Sequence, residues 1–432
     1  MNKLGNPTAY EKTAPVGALS KIVIFPKKMI LRPSLAVGIL MILLRSLAVA
    51  QAGESVTVDR SKLLAESGTV EILKNARELF PLTDKVTRFP ITFPGSPSFR
   101  LHFRVLSAKS AQTATSGIES KWTIDIVDSQ RETIKLWSQS SESSEIEFWS
   151  AQIFKSKATI IISTQEVGIP LQITYDRVVK FTPKSKDLTI VANALAPINA
   201  QSSEIKSWGR AIAKLTVVRD DNQLSFSCTG FLVSPDLLIT NRHCAESGSE
   251  ARSVSAQFDF DTPGSDPPLE AQVRVKEMVL SSCDLDFTLL RLVKAVPFFP
   301  GDDRKPLQML PSGALSLNHP LLVIQHPGGL TKQVSITGCT LKREQMIGNS
   351  SLGTDFGHGC DTNKSSSGSP IQIIGSSADQ NGKVIGIHHL GFRFDDVQSD
   401  VPEKVNRAVK INLIADFIKS VSPALAKELK IP

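Results

Sequence analysis

The sequence predicts a mostly β protein, a small β-sandwich followed by a larger β-rich unit. Apolar and polar residues alternate with period two in segment after segment, as in Phe99, Leu101, Phe103 and Val105 against Arg100, His102 and Arg104, the mark of strands with one buried face. Gly 26 and Pro 25 against Tyr 2 and Trp 4 fit short strands joined by many turns. Hydrophobic residues at 41% and charged residues at 21% permit packed cores and exclude global disorder, while 432 residues ask for two or three domains.

Taken in order, the chain opens on a leader. Lys27, Lys28 and Arg32 precede an apolar run over 35–44, and Ala48-Val49-Ala50 follows. This is the charged region, apolar region and small-x-small site of a secretory signal peptide occupying 1–50. The run is too short to span a bilayer comfortably, and the alternative is an uncleaved anchor. A mature chain starting at Gln51 is therefore expected to be exported, periplasmic or secreted, with no stable membrane span. The leader also carries most of the net charge of +7: it holds seven Lys and Arg against Glu11, leaving 42 basic and 41 acidic residues beyond it. A nucleic-acid binder needs a basic folded surface, so no such partner is expected.

Residues 51–84 form an N-terminal segment with a helix-like stretch over 62–79. Strands then dominate 85–182. The alternation returns at Trp122, Ile124 and Ile126, at Ile134 and Leu136, and over 146–154, 158–163 and 171–180, with a polar loop at 138–145. That spacing reads as a β-sandwich. Its aromatic residues read as core rather than as a carbohydrate- or protein-binding face, and its partner is left unspecified. Residues 183–205, opened by Pro183 and interrupted by Pro197, read as a linker. The second β-rich unit covers 206–425 and closes on Val409, Ile411, Leu413, Ile414 and Phe417 at helical spacing.

All five cysteines (Cys228, Cys244, Cys283, Cys339, Cys360) lie in the second half and none forms a CxxC pair, so no metal site is expected. In an oxidising compartment the arithmetic is two bridges and one leftover thiol. Cys228 with Cys244 closes a short loop, and Cys339 with Cys360 is a second pair; spacing alone leaves the other connectivities open.

Three segments of the second unit carry chemistry together. An apolar strand, Leu237-Leu238-Ile239-Thr240, runs into Asn241-Arg242-His243-Cys244 and presents an imidazole. Asp284-Leu285-Asp286 stands at the mouth of the buried strand Phe287-Thr288-Leu289-Leu290. Asp361-Thr362-Asn363-Lys364-Ser365-Ser366-Ser367-Gly368-Ser369-Pro370 is a small-residue loop that exposes a serine. A serine hydroxyl is a weak nucleophile at neutral pH and needs an adjacent base. Imidazole titrates in the right range, and a carboxylate behind it holds the tautomer. Small residues around Ser367 let backbone N–H groups converge on a developing oxyanion. Asp284 competes with Asp286, but the apolar run follows Asp286; Ser365 and Ser366 compete with Ser367, but only Ser367 precedes Gly-Ser-Pro.

On these motifs, in the order His, Asp, Ser, residues 206–425 resemble the trypsin-like (chymotrypsin-fold) serine peptidases, particularly the bacterial branch with glutamyl endopeptidases and heat-shock proteases. The resemblance implies a double antiparallel β-barrel of six strands each, with the site in the cleft between them. It implies His243 as general base, Asp286 as its orienter, Ser367 as nucleophile, and the backbone N–H groups of Ser365 and Ser367 as oxyanion donors. The implied function is a serine endopeptidase that hydrolyses protein or peptide substrates through an acyl-enzyme, with no cofactor. By the same resemblance Thr362 and His388 match positions that bind a substrate carboxylate. Asp361 lies near the expected pocket floor, where it would attract Lys or Arg instead, or it serves as a structural acceptor. Two departures stand out. Ser365 occupies a position where the family has glycine, which keeps a catalytically silent binding or adhesion protein as the alternative function. Ser366 replaces the Asp that pairs with a new N-terminus in pancreatic-type zymogens, so that activation is not available.

Overall fold

The computed structural model describes residues 65–79, 86–107, 122–127, 133–139, 145–164, 171–181, 195–220, 224–310, 316–347, 352–375, 379–391 and 405–431. The leader expected over 1–50, most of the polar loop and the first part of the linker lie outside the described residues.

Eight strands build the first module: β1 (Ala65–Leu79), β2 (Val86–Thr92), β3 (Ser98–Ser107), β4 (Trp122–Val127), β5 (Thr133–Gln139), β6 (Glu145–Trp149), β7 (Lys157–Thr164) and β8 (Leu171–Phe181). One layer runs β1-β8-β3-β6 and the other β2-β7-β4-β5, a sandwich as the alternation predicts. Phe99, Leu101, Phe103 and Val105 of β3 are buried against Ile124 and Ile126 of β4 and Ile160 and Ile162 of β7. Fully burying a side chain of this kind contributes about 1.5–3 kcal/mol, so this interlayer contact is the main source of the module's cohesion.

The second unit begins with β9 (Leu195–Pro197) and α1 (Ser203–Gly209), so part of the segment read as linker is regular structure. Then come β10 (Ile212–Val218), β11 (Leu224–Leu232), β12 (Leu237–Thr240), α2 (Gly248–Ser253), β13 (Ser255–Gln257), β14 (Gln272–Ser282) and β15 (Phe287–Leu292). These strands run β10-β13-β14-β15-β12-β11, and β10 pairs with β11 to close a six-stranded barrel. The remainder comprises β16 (Leu321–Gln325), β17 (Gln333–Ser335), β18 (Leu341–Ile347), β19 (Leu352–His358), β20 (Pro370–Ile373), β21 (Val384–Leu390) and β22 (Asn406–Lys410), followed by α3 (Ile411–Val421) and α4 (Pro423–Glu428). With β9 these strands form an eight-stranded sheet, β18-β19-β22-β21-β20-β16-β17-β9, curled into a half-barrel. The fold is thus mostly β with a double-barrel second unit, one barrel closed and the other open. α3 buries Ile411, Ile414, Ala415 and Ile418 at helical spacing, and Phe417 meets Phe287 edge-on at 5.7 Å. No helix among the described residues is long and apolar enough to cross a membrane.

Two further features differ from the sequence reading. Residues 65–79 form a strand rather than a helix. β1 has a partner on each edge, β11 (Ala65↔Ser227) and β8 (Val70↔Val179), and two backbone ladders outweigh local helical propensity. The polar face of β3 is also not a solvent face throughout: the Arg104 side chain is exposed, but Arg100 and His102 are buried. Arg100 is fully buried, donating from Nε to the Ser150 carbonyl at 2.8 Å and from its terminal nitrogens to the carbonyls of Thr216 at 3.2 Å and Ser253 at 2.7 Å. Burial pulls this guanidinium down to about 9. Period two reveals which residues share a face; it does not reveal what covers that face.

Candidate active site

β12 ends at Thr240, and a single 3-10 turn, Arg242–Cys244, carries His243. The disulfide Cys228–Cys244 staples this turn to β11; Cys339–Cys360 is the second bridge, and Cys283 is exposed and outside both. Asp286 lies just before β15 with a left-handed φ of 41°. Its Oδ1 accepts the backbone N–H of His243 at 3.0 Å, and its Oδ2 meets His243 Nδ1 at 2.7 Å. Asn241 Nδ2 donates to the Asp286 carbonyl at 2.9 Å, fixing the other side of the turn. Asp284 is exposed and makes none of these bonds. Burial alone would raise the Asp286 carboxyl, but His243 and then His389 outweigh it and hold the group well below the usual carboxylate range. An ionised Asp286 makes His243 Nδ1 the donor, which fixes the tautomer.

The serine loop lies between β19 and β20 and is gripped from both barrels. From β11, the Thr229 N–H donates to the Ser367 carbonyl at 2.8 Å and its Oγ1 to the Ser365 carbonyl at 2.9 Å. From β21, the His388 carbonyl accepts the Gly368 N–H at 2.9 Å, and the His388 N–H donates to the Ser369 carbonyl at 2.9 Å. Gly368 has φ 88°, and a Cβ there would sit 2.0 Å from the Thr229 carbonyl oxygen, so only glycine fits. Ser365 is fully buried with φ 70°, a conformation that favours glycine, and its Oγ has no hydrogen-bond partner. The Ser366 N–H turns to the Asn363 carbonyl at 3.0 Å, whereas those of Ser365 and Ser367 donate to no group among the described residues. Ser367 is buried, and its hydroxyl likewise makes no hydrogen bond among them, to His243 or to any other group.

His388 and His389 are adjacent in β21 yet both buried, because the β21–β22 ladder slips between His388 and Leu390. His389 is the extra residue of that bulge. Its Nδ1 lies 3.2 Å from Asp286 Oδ2 and its Nε2 2.6 Å from Asp355 Oδ2. Burial opposes its charge, but Asp355 and Asp286 outweigh burial and raise it to about 9. The opposite holds one residue earlier. His388 Nδ1 is 3.2 Å from His358 Nε2; burial, and then the neighbouring histidines, push His388 well below the usual range and His358 down to about 3. Of the other residues that the sequence placed at a specificity pocket, Asp361 is half-buried, with its N–H on Ser335 Oγ at 2.8 Å and its carbonyl accepting from Gln325 Nε2 at 2.7 Å; Thr362 is also half-buried.

The roles of Thr229, His358, Asp355 and His389 were not visible in the sequence, although Thr229 stands in the segment Cys228-Thr229-Gly230-Phe231 that leads toward the histidine motif. The only available signal was the His-His pair at 388–389, and alternation would have put one of the two outside. Cys228, His243 and Cys244 place potential ligand atoms within 4.8 Å of one another, but the two sulfurs are bonded to each other and offer no thiolate.

Residues 228–387 match the family of trypsin-like peptidase domains. Among solved structures, the chain is similar to the Rv3671c protease of M. tuberculosis in an active form, at 18% identity over 56% of this chain and 94% of that one, with a TM-score of 0.38. An inactive form of the same protease is similar at 16% identity over 54% and 98%, with a TM-score of 0.37. No curated protein matches the chain.

Proposed function

We propose that this protein is an exported serine endopeptidase that uses His243, Asp286 and Ser367. The observation that carries the reading is the His243–Asp286 pair, bonded at 2.7 Å and pinned by a second bond to the His243 N–H, beside a strand that holds the Ser367 loop. In the proposed reaction Ser367 Oγ attacks the scissile carbonyl while His243 Nε2 takes its proton. The oxyanion is received by the N–H groups of Ser365 and Ser367, neither of which has an acceptor among the described residues. The imidazolium then protonates the leaving amine, and water resolves the acyl-enzyme with His243 again as base. The absence of a Ser367–His243 bond is compatible with this, since such bonds tighten when substrate binds. Export is supported by the two disulfides.

Ser367→Ala tests the reading: hydrolysis of casein or peptide esters should fall about 10⁴- to 10⁶-fold, and a fluorophosphonate probe should label Ser367 in the parent. Peptide-library cleavage then reads the pocket. A preference for Glu supports Thr362 and His388 as its binding groups, and one for Lys or Arg supports Asp361. The left-handed Ser365 favours a second reading, a silent scaffold, which predicts a folded parent that no probe labels.

A further inference from the structure

His389 takes no part in the hydrolytic steps above, yet it is fully buried and bridges two buried carboxylates. Both of its ring nitrogens face carboxylate oxygens, so both carry protons and the ring is an imidazolium. Its two partners come from different barrels, Asp286 from the turn before β15 and Asp355 from β19. The bulge takes the ring out of the strand's alternation and aims it across that boundary. The oxygen it reaches, Asp286 Oδ2, is the one that His243 Nδ1 already uses.

We propose that His389 is a positioning residue for the Asp286–His243 pair, anchored by Asp355, clamping the Asp286 carboxylate from the second barrel and offsetting its charge. The proposal rests on the peptidase reading and adds to it a chain of alternating charge, Asp355, His389 and Asp286, behind His243. With His389 in place, Oδ1 of Asp286 is held by the His243 N–H and Oδ2 by two imidazoles, so neither oxygen is left to swing toward another donor. The titratable and charged groups around His389 are His243 and Asp286 of the first barrel, Asp355 and His358 of β19, its neighbour His388, and Lys410 of β22 beyond Asp355. Two carboxylates and one imidazolium leave a single negative charge behind His243. Without the imidazolium there would be two, favouring the protonated base.

The test compares His389→Gln, Asp355→Asn and the double variant with the parent, using kcat, KM and pH profiles. His389→Gln should lower kcat about 10- to 100-fold with KM changed less than about threefold, and move the acid limb of kcat/KM up by about 0.5–1 pH unit. Adding Asp355→Asn restores a single negative charge. The limb should return to within about 0.3 unit of the parent while kcat stays low, because the imidazolium donor is still missing. A purely structural role would lower the melting temperature without moving the limb. His389→Gln with parental kcat and limb overturns the proposal. If His389→Gln does not fold, the double variant, in which both buried charges are removed together, decides: kcat within about twofold of the parent overturns it. A parent that neither labels at Ser367 nor cleaves casein removes the peptidase reading itself; a parent that does both, beside an indifferent His389→Gln, removes only the clamp.

Discussion

The closed first barrel and the open second one hold their share of the site in different ways. In the first, His243 and Asp286 are bonded directly, stapled by a disulfide and set at the ends of largely buried strands. In the second, Ser367 sits on a loop with an unfavourable residue at Ser365, and β21, one of the strands that hold the loop, carries a bulge at His389, next to its last residue. The His243–Asp286 pair is held by direct bonds within a barrel that closes on itself, whereas the serine loop depends on bonds to β11 and β21 for its shape. The comparison teaches that the two halves fail differently: under the proposed mechanism, damage to the first would lose proton transfer, and damage to the second would lose the loop's conformation.

The largest effect expected from breaking this contrast is Asp286→Asn. It keeps the shape but no longer enforces the Nδ1–H tautomer, and kcat should fall about 10⁴-fold with folding intact by circular dichroism. Next, replacing Cys228 and Cys244 by alanine releases a loop of sequence separation 16 in the first barrel. Unfolding in urea should show a loss of about 3 kcal/mol.

The third prediction concerns pH. His389 stands raised to about 9, so its contribution is fully present below about 6.5 and is lost as pH rises through 9. His358 is lowered to about 3, so stability is present above about 6.5 and declines as pH falls toward 3, with His388 acting in the same direction. Melting temperature should therefore peak at about pH 6–7 and fall on both sides, and His389→Gln should flatten the basic side alone. The smallest effect is at Ser365, whose φ of 70° suits glycine. Ser365→Gly should stabilise the protein by about 1 kcal/mol and leave or raise kcat; a loss of stability would mean the serine is not strained.

Much of the fold was legible. Phe99 to Val105 declared a strand and its inward face, and Ile411, Ile414 and Phe417 declared the terminal helix, because side chains that share a face recur at the element's own period. The covering of Arg100 and the strand state of 65–79 were not legible, since both depend on partners more than a hundred residues away: Thr216 and Ser253 for Arg100, and Ser227 for Ala65. At the site, the motifs around His243, Asp286 and Ser367 could be read because each packs its chemistry into a few consecutive residues. Thr229 and Asp355 lie in ordinary strand sequence with nothing local to mark them.

By itself the sequence determined the alternation of the strands, the cysteines available for bridging and the order of three short motifs, all properties of residues near one another along the chain. Only the tertiary structure decided that an imidazole extruded by a bulge in one barrel would meet a carboxylate of the other, 103 positions away, with Asp355 behind it. Charges buried that deeply are stable only when packing brings their partners within hydrogen-bond distance, and packing is a property of the whole fold.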